Sequence, residues 1–399
     1  MDIRIIPGKL KGQIHAIPSK SQAHRVLICS AFADKPTTII CKETNKDIEA
    51  TAACLRALGA TIDRTENGYM VTPISSCPSS AVLPCAESGS TLRFMLPIVG
   101  ALGVDALFVM EGRLPMRPLS PLWELMAEKG CALSRPTENT LHCTGQLHAG
   151  CYQISGNVSS QFITGLLFAL SLMKSQSEIV LTSSLESKPY VDMTQAVMAS
   201  FGISTGNYSI SGTDSYISPG TITIEGDWSN AAFFLAASAM GNDVSVYNLN
   251  YASTQGDRAV SDILGNINHI HTISAQDIPD LIPILAVVSV VAGGCTFTDI
   301  QRLRLKESDR VAAIINMLHA LGVNAEATET SLTVYPGQFL GGTVDSVNDH
   351  RIAMAAAIAA TASKAPVTIL SSQCVEKSYP SFWDEYARLG GEYEQYIRK

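Results

Sequence analysis

The chain has 399 residues, 46% of them hydrophobic and only 16% charged. Soluble proteins carry about 25% charged residues, so two or three domains with large apolar cores are expected. The net charge is −8 with no basic block, which argues against nucleic acid or an anionic membrane as a partner.

Ten cysteines are scattered along the chain, mostly beside apolar residues. They make no CxxC pair and no zinc spacing, so buried free thiols in a reducing cytosol are expected. The start, MDIRIIPGKLKG, has no apolar signal segment. The longest apolar run, residues 281–294, is short for a membrane span of about 20 residues. These features predict a soluble cytoplasmic protein.

In chain order, the elements repeat. A helix rich in apolar and small residues is predicted from Ser21, followed by a strand-like TTIICK and an amphipathic helix ending at Gly59. The pattern returns from Ser90, with DALFVM and a stop at Gly130, and from Ser159, with SEIVLTS and a stop at Gly202. It returns again from Ser229, with DVSVYNL and Gly265, from Asp280, with CTFTDI and Gly322, and from Asp349, with APVTILS and Gly390. The starts are 69, 69, 70, 51 and 69 residues apart. Ser and Asp suit helix N-caps, and glycine suits the stop because it takes positive φ without strain. The all-round apolar helices need burial on every side. Three repeats closing around them, with sheets outside, satisfy that need, and six repeats make two such rings. Repeats of about 70 residues are long for a solenoid. The short fourth interval marks one junction as different.

Charged and polar residues that look functional gather at the starts of these helices: Lys20, Arg25, Arg93, Gln161, Asp280, Asp349, His350 and Arg351, then Arg117, Lys188, Lys306 to Arg310, and Lys377. Helix N-termini attract anions, so cations there are explained by an anion between them, phosphate or carboxylate. Any one of them alone is better explained as a surface charge or an ion-pair partner. Lys306, Glu307, Asp309 and Arg310 could pair along one helical turn. Recurrence at one place in several repeats favours the functional explanation. GKLKGQ does not match a phosphate loop, and neither GxSxG nor HExxH occurs.

The motifs PSKSQAHR (18–25), SGSTLRF (88–94), MRP (116–118), SSQFITGLL (159–167), SKPYVD (187–192), RLRLKESDR (302–310), NDHRIAM (348–354) and EKSYP (376–380) together resemble the EPSP synthase (3-phosphoshikimate 1-carboxyvinyltransferase) family. The resemblance runs along the whole chain. It implies an α/β fold of two similar inside-out barrel domains, each of three repeats around buried helices, with an active-site cleft between them. It places one domain at 19–225 and the other at 1–18 plus 226–399.

The resemblance further implies transfer of the enolpyruvyl group of phosphoenolpyruvate to the 5-hydroxyl of shikimate 3-phosphate by addition and elimination. No metal or organic cofactor is implied, and a monomer is expected. By motif, shikimate 3-phosphate falls to Lys20, Ser21, Arg25, Ser159, Ser160, Gln161, Ser187, Tyr190, Asp280 and Lys306. Phosphoenolpyruvate falls to Lys20, Gly89, Arg117, Gln161, Arg310, Arg351 and Lys377. Asp280 is expected to accept the hydroxyl proton, and Glu307 with Lys20 to handle the methylene proton. Two positions depart from the family pattern, Glu87 and Arg302, where Asn is usual. The sister transferase acting on UDP-N-acetylglucosamine is the nearest rival. It begins its first site with Lys-Asn, whereas Lys20 here precedes a serine, and GRLPMRPLSP lacks the loop cysteine of that enzyme. A binding protein that kept the scaffold without turnover is the rival of a different class.

Overall fold

Apolar and amphipathic helices alternate along the chain in the computed structural model, which describes residues 1–212 and 215–396. After β1 (Asp2–Ile6) and β2 (Lys11–His15), the first repeat runs through α1 (Lys20–Ala31), β3 (Thr37–Ile40), α2 (Lys46–Ala57), β4 (Thr61–Thr65), β5 (Gly68–Thr72) and β6 (Ser80–Ala86). The second comprises α3 (Gly89–Leu102), β7 (Asp105–Met110), α4 (Leu122–Glu128), β8 (Cys131–Ser134), β9 (Thr140–Gly145) and β10 (Cys151–Ile154). The third comprises α5 (Ser160–Ser171), β11 (Ser177–Leu181), α6 (Lys188–Ser200), β12 (Ser209–Ile210) and β13 (Thr221–Thr223).

The fourth repeat is shorter, with α7 (Trp228–Ala239), β14 (Asp243–Tyr247), α8 (Val260–Asn266) and β15 (Thr272–Ser274). The fifth restores the full set in α9 (Ile282–Val291), β16 (Cys295–Thr298), α10 (Arg310–Ala320), β17 (Ala325–Ala327), β18 (Ser331–Val334) and β19 (Gly342–Asp345). The sixth has α11 (His350–Ala360), β20 (Val367–Leu370), α12 (Phe382–Arg388) and β21 (Glu392–Tyr396). The fourth repeat lacks the hairpin that corresponds to β4–β5 or β17–β18, which accounts for its 51-residue interval.

The strand before an apolar helix normally pairs in parallel with the strand after it, as β6 with β7, β10 with β11, β15 with β16 and β19 with β20. Two helices break the rule. β2 precedes α1 but pairs with β14, and β13 precedes α7 but pairs with β3. The chain therefore changes partner sheets twice. By contact it divides into two compact units, Pro18–Glu225 and Met1–Ile17 with the residues from Gly226 onward. Pro18 falls on the other side of the first boundary from the expected position.

In the 18–225 unit, α1, α3 and α5 form the interior, with three sheets ordered β13-β3-β5-β4, β6-β7-β9-β8 and β10-β11-β12. In the other unit, α7, α9 and α11 are the buried set, with sheets β14-β2, β15-β16-β18-β17 and β19-β20-β1-β21. Every residue of α11 is buried, as is Ile282–Val290 of α9. Close packing of α3 on α5 depends on one glycine. Pro97 in α3 has no N–H, so it cannot bond the Arg93 carbonyl one turn back. That carbonyl lies so close to Gly165 of α5 that any Cβ there would collide with it.

Some boundaries differ from the sequence expectation. Ser159 and Asp349 are N-caps. Ser21, Ser90 and Ser229 instead lie inside the first turn, because Ser19, Ser88 and Asp227 reach the orphan N–H groups first. Leu281, not Asp280, takes the cap position of α9. Gly59, Gly130, Gly202, Gly322 and Gly390 take positive φ after their helices. Gly265 does not, since α8 runs through it into a 3-10 turn at Ile267–His269. Among the described residues no helix is long and apolar enough to cross a membrane.

Candidate active site

In the 226–399 unit, five of the sequence-predicted residues meet in one ionic cluster. Its hub is Arg310, the first residue of α10, with a side chain 1% exposed. Its Nε donates to Asp349 at 2.9 Å, its Nη1 to Asp280 at 2.6 Å and its Nη2 to Glu307 at 2.7 Å. Each is a charge-assisted bond. Arginine has five N–H donors, and these bonds use three of them. Lys306 Nζ lies 3.5 Å from Asp280, and Arg351 Nη2 lies 3.4 Å from it on the other carboxylate oxygen. Arg351 also donates to the Asp280 carbonyl at 3.1 Å.

Asp349 is fully buried and serves three partners. It caps α11 through the Arg351 N–H, accepts from Ser308 Oγ at 2.9 Å, and holds Arg310. His350 Nδ1 stands 4.0 Å from it. Sequence reasoning placed Asp349 among the charges at a helix start, or as a cap, and missed it as a counter-ion to Arg310. The alternative of pairing along one turn from Lys306 to Arg310 holds only in part. Lys306 to Ser308 precede α10, so Lys306 turns to Asp280, while Glu307 still reaches Arg310. Lys377 ends a 3-10 turn, Ser372–Lys377, and its neighbour Ser378 accepts from Asn230 of α7 at 3.2 Å.

Among the described ion pairs the charges balance rather than accumulate: Lys306, Arg310 and Arg351 face Asp280, Glu307 and Asp349. Burial alone would push the Asp280 carboxyl up, but Arg351, Lys306 and Arg310 outweigh it and hold it well below the usual carboxylate range. Burial and the neighbouring Arg310 bring Lys306 down to about 8, against the pull of Asp280. Burial, then Asp280, raise Asp257 to about 6.

In the 18–225 unit, Arg25 is 2% exposed and anchored from three sides. Its Nε donates to Thr194 Oγ1 at 2.8 Å, its Nη1 to the Ser21 carbonyl at 2.6 Å and its Nη2 to the Tyr190 carbonyl at 2.9 Å. Burial lowers its pKa to about 10. Lys20, at the start of α1, pairs with Asp47 of α2 at 3.0 Å. Ser159 caps α5, beside buried Ser160, and Gln161 Nε2 donates to Ser90 Oγ of α3 at 2.9 Å. Ser187 opens α6 in the left-handed region and is buried.

Two guanidinia close over Gly89. Arg93 donates to the Gly89 carbonyl at 3.3 Å and to the Pro118 carbonyl at 3.1 Å, tying α3 to the loop that carries Arg117. A Cβ on Gly89 would sit 2.8 Å from Arg93 Nη1 and closer still to Arg117 Nη1. Glu87 packs against Gly112, which leaves no room for a Cβ there. Arg302 stands near enough to Lys306 to depress it further. Asp47, Arg93 and Thr194 were not on the expected site list. Asp47 opens a helix behind the cap Asn45, but nothing local in the sequence pairs it with Lys20. Among the described residues, no group of three or more His, Cys, Asp or Glu could hold a metal ion.

The sequence model described as EPSP synthase (3-phosphoshikimate 1-carboxyvinyltransferase) matches residues 5–386. The chain belongs to the EPSP synthase family. The 3-phosphoshikimate 1-carboxyvinyltransferase of Clostridium acetobutylicum is 38% identical over 428 residues, covering 99% of this chain and 98% of that protein. That of Clostridium kluyveri is 37% identical over 422 residues, with coverage of 99% and 98%.

The fold agrees. EPSP synthase from Acinetobacter baumannii superposes with a TM-score of 0.81 at 22% identity, covering 99% of this chain and all of that one. The enolpyruvyl transferase NikO from Streptomyces tendae gives 0.77 at 18% identity, with 98% of each chain covered. As an EPSP synthase family member, the chain transfers an enolpyruvyl group from phosphoenolpyruvate to shikimate 3-phosphate, in the shikimate pathway to aromatic amino acids.

The crowding at Gly89 has a measurable consequence in an EPSP synthase. Gly89→Ala forces the Arg117 and Arg93 guanidinia apart. The KM for phosphoenolpyruvate is expected to rise about tenfold or more, equivalent to about 1.4 kcal/mol, with the KM for shikimate 3-phosphate nearly unchanged. Equal changes in both constants would remove Gly89 from the phosphoenolpyruvate site.

Proposed function

We propose that Asp280 accepts the proton of the shikimate 5-hydroxyl, and that Glu307, with Lys20, manages the proton at the methylene carbon of phosphoenolpyruvate. The observation that carries this assignment is that a single guanidinium, Arg310, holds both carboxylates, Asp280 at 2.6 Å and Glu307 at 2.7 Å. A planar fork fixes their separation and orientation, which proton transfer in an addition and elimination needs. By motif, phosphoenolpyruvate takes Gly89, Arg117, Gln161, Lys20, Arg310, Arg351 and Lys377. Shikimate 3-phosphate takes Lys20, Ser21, Arg25, Ser159, Ser160, Gln161, Ser187 and Tyr190, with Asp280 and Lys306.

Asp280 is a weak base while Arg351, Lys306 and Arg310 neutralise it. Anionic substrates compete for Arg351 and Lys306 and draw part of that positive field onto themselves. The basicity of Asp280 therefore rises when the substrates are bound. The same exchange explains how a charge-balanced cluster takes up anions.

Lys306 supplies a test. Only its ammonium form attracts shikimate 3-phosphate, and its pKa of about 8 lies far below that of a free lysine. The kcat/KM for shikimate 3-phosphate reports the free enzyme. It is expected to be full below that pKa and to fall as pH rises through about 8. Lys306→Arg should remove the falling limb, because guanidinium stays charged. A limb that survives in the variant would assign it elsewhere.

We further infer a cytoplasmic monomer that acts on small molecules, with neither nucleic acid nor membrane as partner. The net charge of −8 supports the last part. All ten cysteines are free thiols, which suits a reducing compartment.

A further inference from the structure

Helix α1 sends two consecutive polar side chains into the apolar interior of the 18–225 unit. Arg25 goes toward Thr194, which is 2.8 Å from Thr164. His24 goes the other way. Its Nδ1 is 2.7 Å from Thr51 Oγ1 in α2, and that oxygen is 2.7 Å from Thr91 Oγ1 in α3. Thr91 Oγ1 is in turn 2.7 Å from Ser88 Oγ. His24 is 1% exposed, and Thr51, Thr91 and Ser88 are 0% exposed. The His24 ring meets Phe94 of the apolar core edge-on, with centroids 6.3 Å apart. A polar thread in such surroundings is costly unless every link is made.

The thread has a direction. A hydroxyl owns one hydrogen. Thr91 spends its hydrogen on Ser88 Oγ or on the Asp47 carbonyl at 3.4 Å. Thr51 must then donate to Thr91, and His24 Nδ1–H must donate to Thr51. Burial holds His24 down to about 3, so its ring is neutral and carries that one N–H. Its Nε2 makes no hydrogen bond among the described residues. His24 is thus the donor that starts the chain, and the chain ends on Ser88, the cap of α3, which also accepts from the Thr91 N–H at 3.3 Å. The next residue is Gly89, under the Arg93 and Arg117 guanidinia.

We propose that His24 is a positioning residue which, through Thr51, Thr91 and Ser88, aligns the N-terminus of α3 and so sets the affinity for phosphoenolpyruvate. The inference rests on the assignment of Gly89 and Arg117 to that substrate. Neither His24 nor the two threonines touches a reacting group in this scheme. Asn at position 24 can present an amide N–H where His24 presents Nδ1–H, whereas Leu cannot.

The test compares wild type, His24→Leu, His24→Asn and Thr91→Val by phosphate release with each substrate varied, alongside thermal unfolding. His24→Leu and Thr91→Val should each raise the KM for phosphoenolpyruvate about fivefold, the worth of one hydrogen bond. The KM for shikimate 3-phosphate and kcat should stay within about twofold. His24→Asn should recover most of the loss, and the double variant His24→Leu/Thr91→Val should lose less than the sum of the two. Nitrogen NMR of wild type should show the Nδ1–H tautomer at His24. An Nε2–H tautomer, or equal rises in both KM values tracking a lowered Tm, would overturn the proposal, as would variants indistinguishable from wild type. If His24→Leu does not fold, Thr91→Val, which keeps the side-chain shape, decides. Wild type without phosphate release would instead overturn the assignment beneath it.

Discussion

Arg310→Met is expected to destabilise the 226–399 unit by about 3–5 kcal/mol and to abolish measurable turnover. The magnitude follows from what remains. Asp349 is 0% exposed and would keep only the Ser308 hydroxyl and its capping N–H. Asp280 and Glu307 would lose charged contacts at 2.6 and 2.7 Å. Three carboxylates would then face two cations, and the deepest carboxylate would have neither in contact. Arg310→Lys should recover little, because a compact ammonium cannot reach three carboxylates in a plane. Urea unfolding followed by tryptophan fluorescence measures the loss, since Trp228 and Trp383 lie buried in this unit. A loss under about 1 kcal/mol would mean that the hub is not a structural keystone.

Asp280→Asn should behave differently. Turnover is expected to fall about 10²–10⁴-fold, the usual worth of a general base. Shikimate 3-phosphate binding should persist, because the variant removes a carboxylate that competes with the substrate for Arg351 and Lys306. The pH matters. Asp280 is the largest influence raising Lys306, so Lys306 falls below about 8 in the variant. Binding should therefore be compared at about pH 6, where the ammonium form is retained. Single-turnover measurements with saturating substrates separate chemistry from binding. Near-normal chemistry would take Asp280 out of the proton transfer, and loss of binding alone would leave it only its contact to shikimate 3-phosphate.

Much of the fold was legible because its physics is local. Helices such as LIPILAVVSVVA, apolar on all faces, can only be buried, and their spacing betrayed the repeat. Helix starts were misjudged by two residues where several polar side chains compete. Ser19 and Ser21 are equally plausible on paper, and only the backbone decides. Gly265 looked like a helix stop but lies within α8, because that repeat has no hairpin to turn into. The site was half legible. Its cations stand in motifs, but most of their partners lie far away in sequence. Asp349 is 39 residues from Arg310, and Thr194 is 169 residues from Arg25. No local pattern encodes such pairs, so the cluster read as basic when it is in fact balanced.

Charge balance also recasts what binding must do. Cations held rigidly by carboxylates cost little reorganisation when an anion arrives, which favours stabilisation of a charged intermediate. The same arrangement makes binding an exchange of partners rather than simple neutralisation.

Enolpyruvyl transfer to shikimate 3-phosphate is the reaction to measure. Purified protein incubated with phosphoenolpyruvate and either shikimate 3-phosphate or UDP-N-acetylglucosamine, with phosphate release and the product followed by mass spectrometry, tests it most directly. Phosphate and an enolpyruvyl ether are predicted with shikimate 3-phosphate and not with the nucleotide sugar. Release only with the nucleotide sugar, or substrate binding with no release from either acceptor, would contradict it.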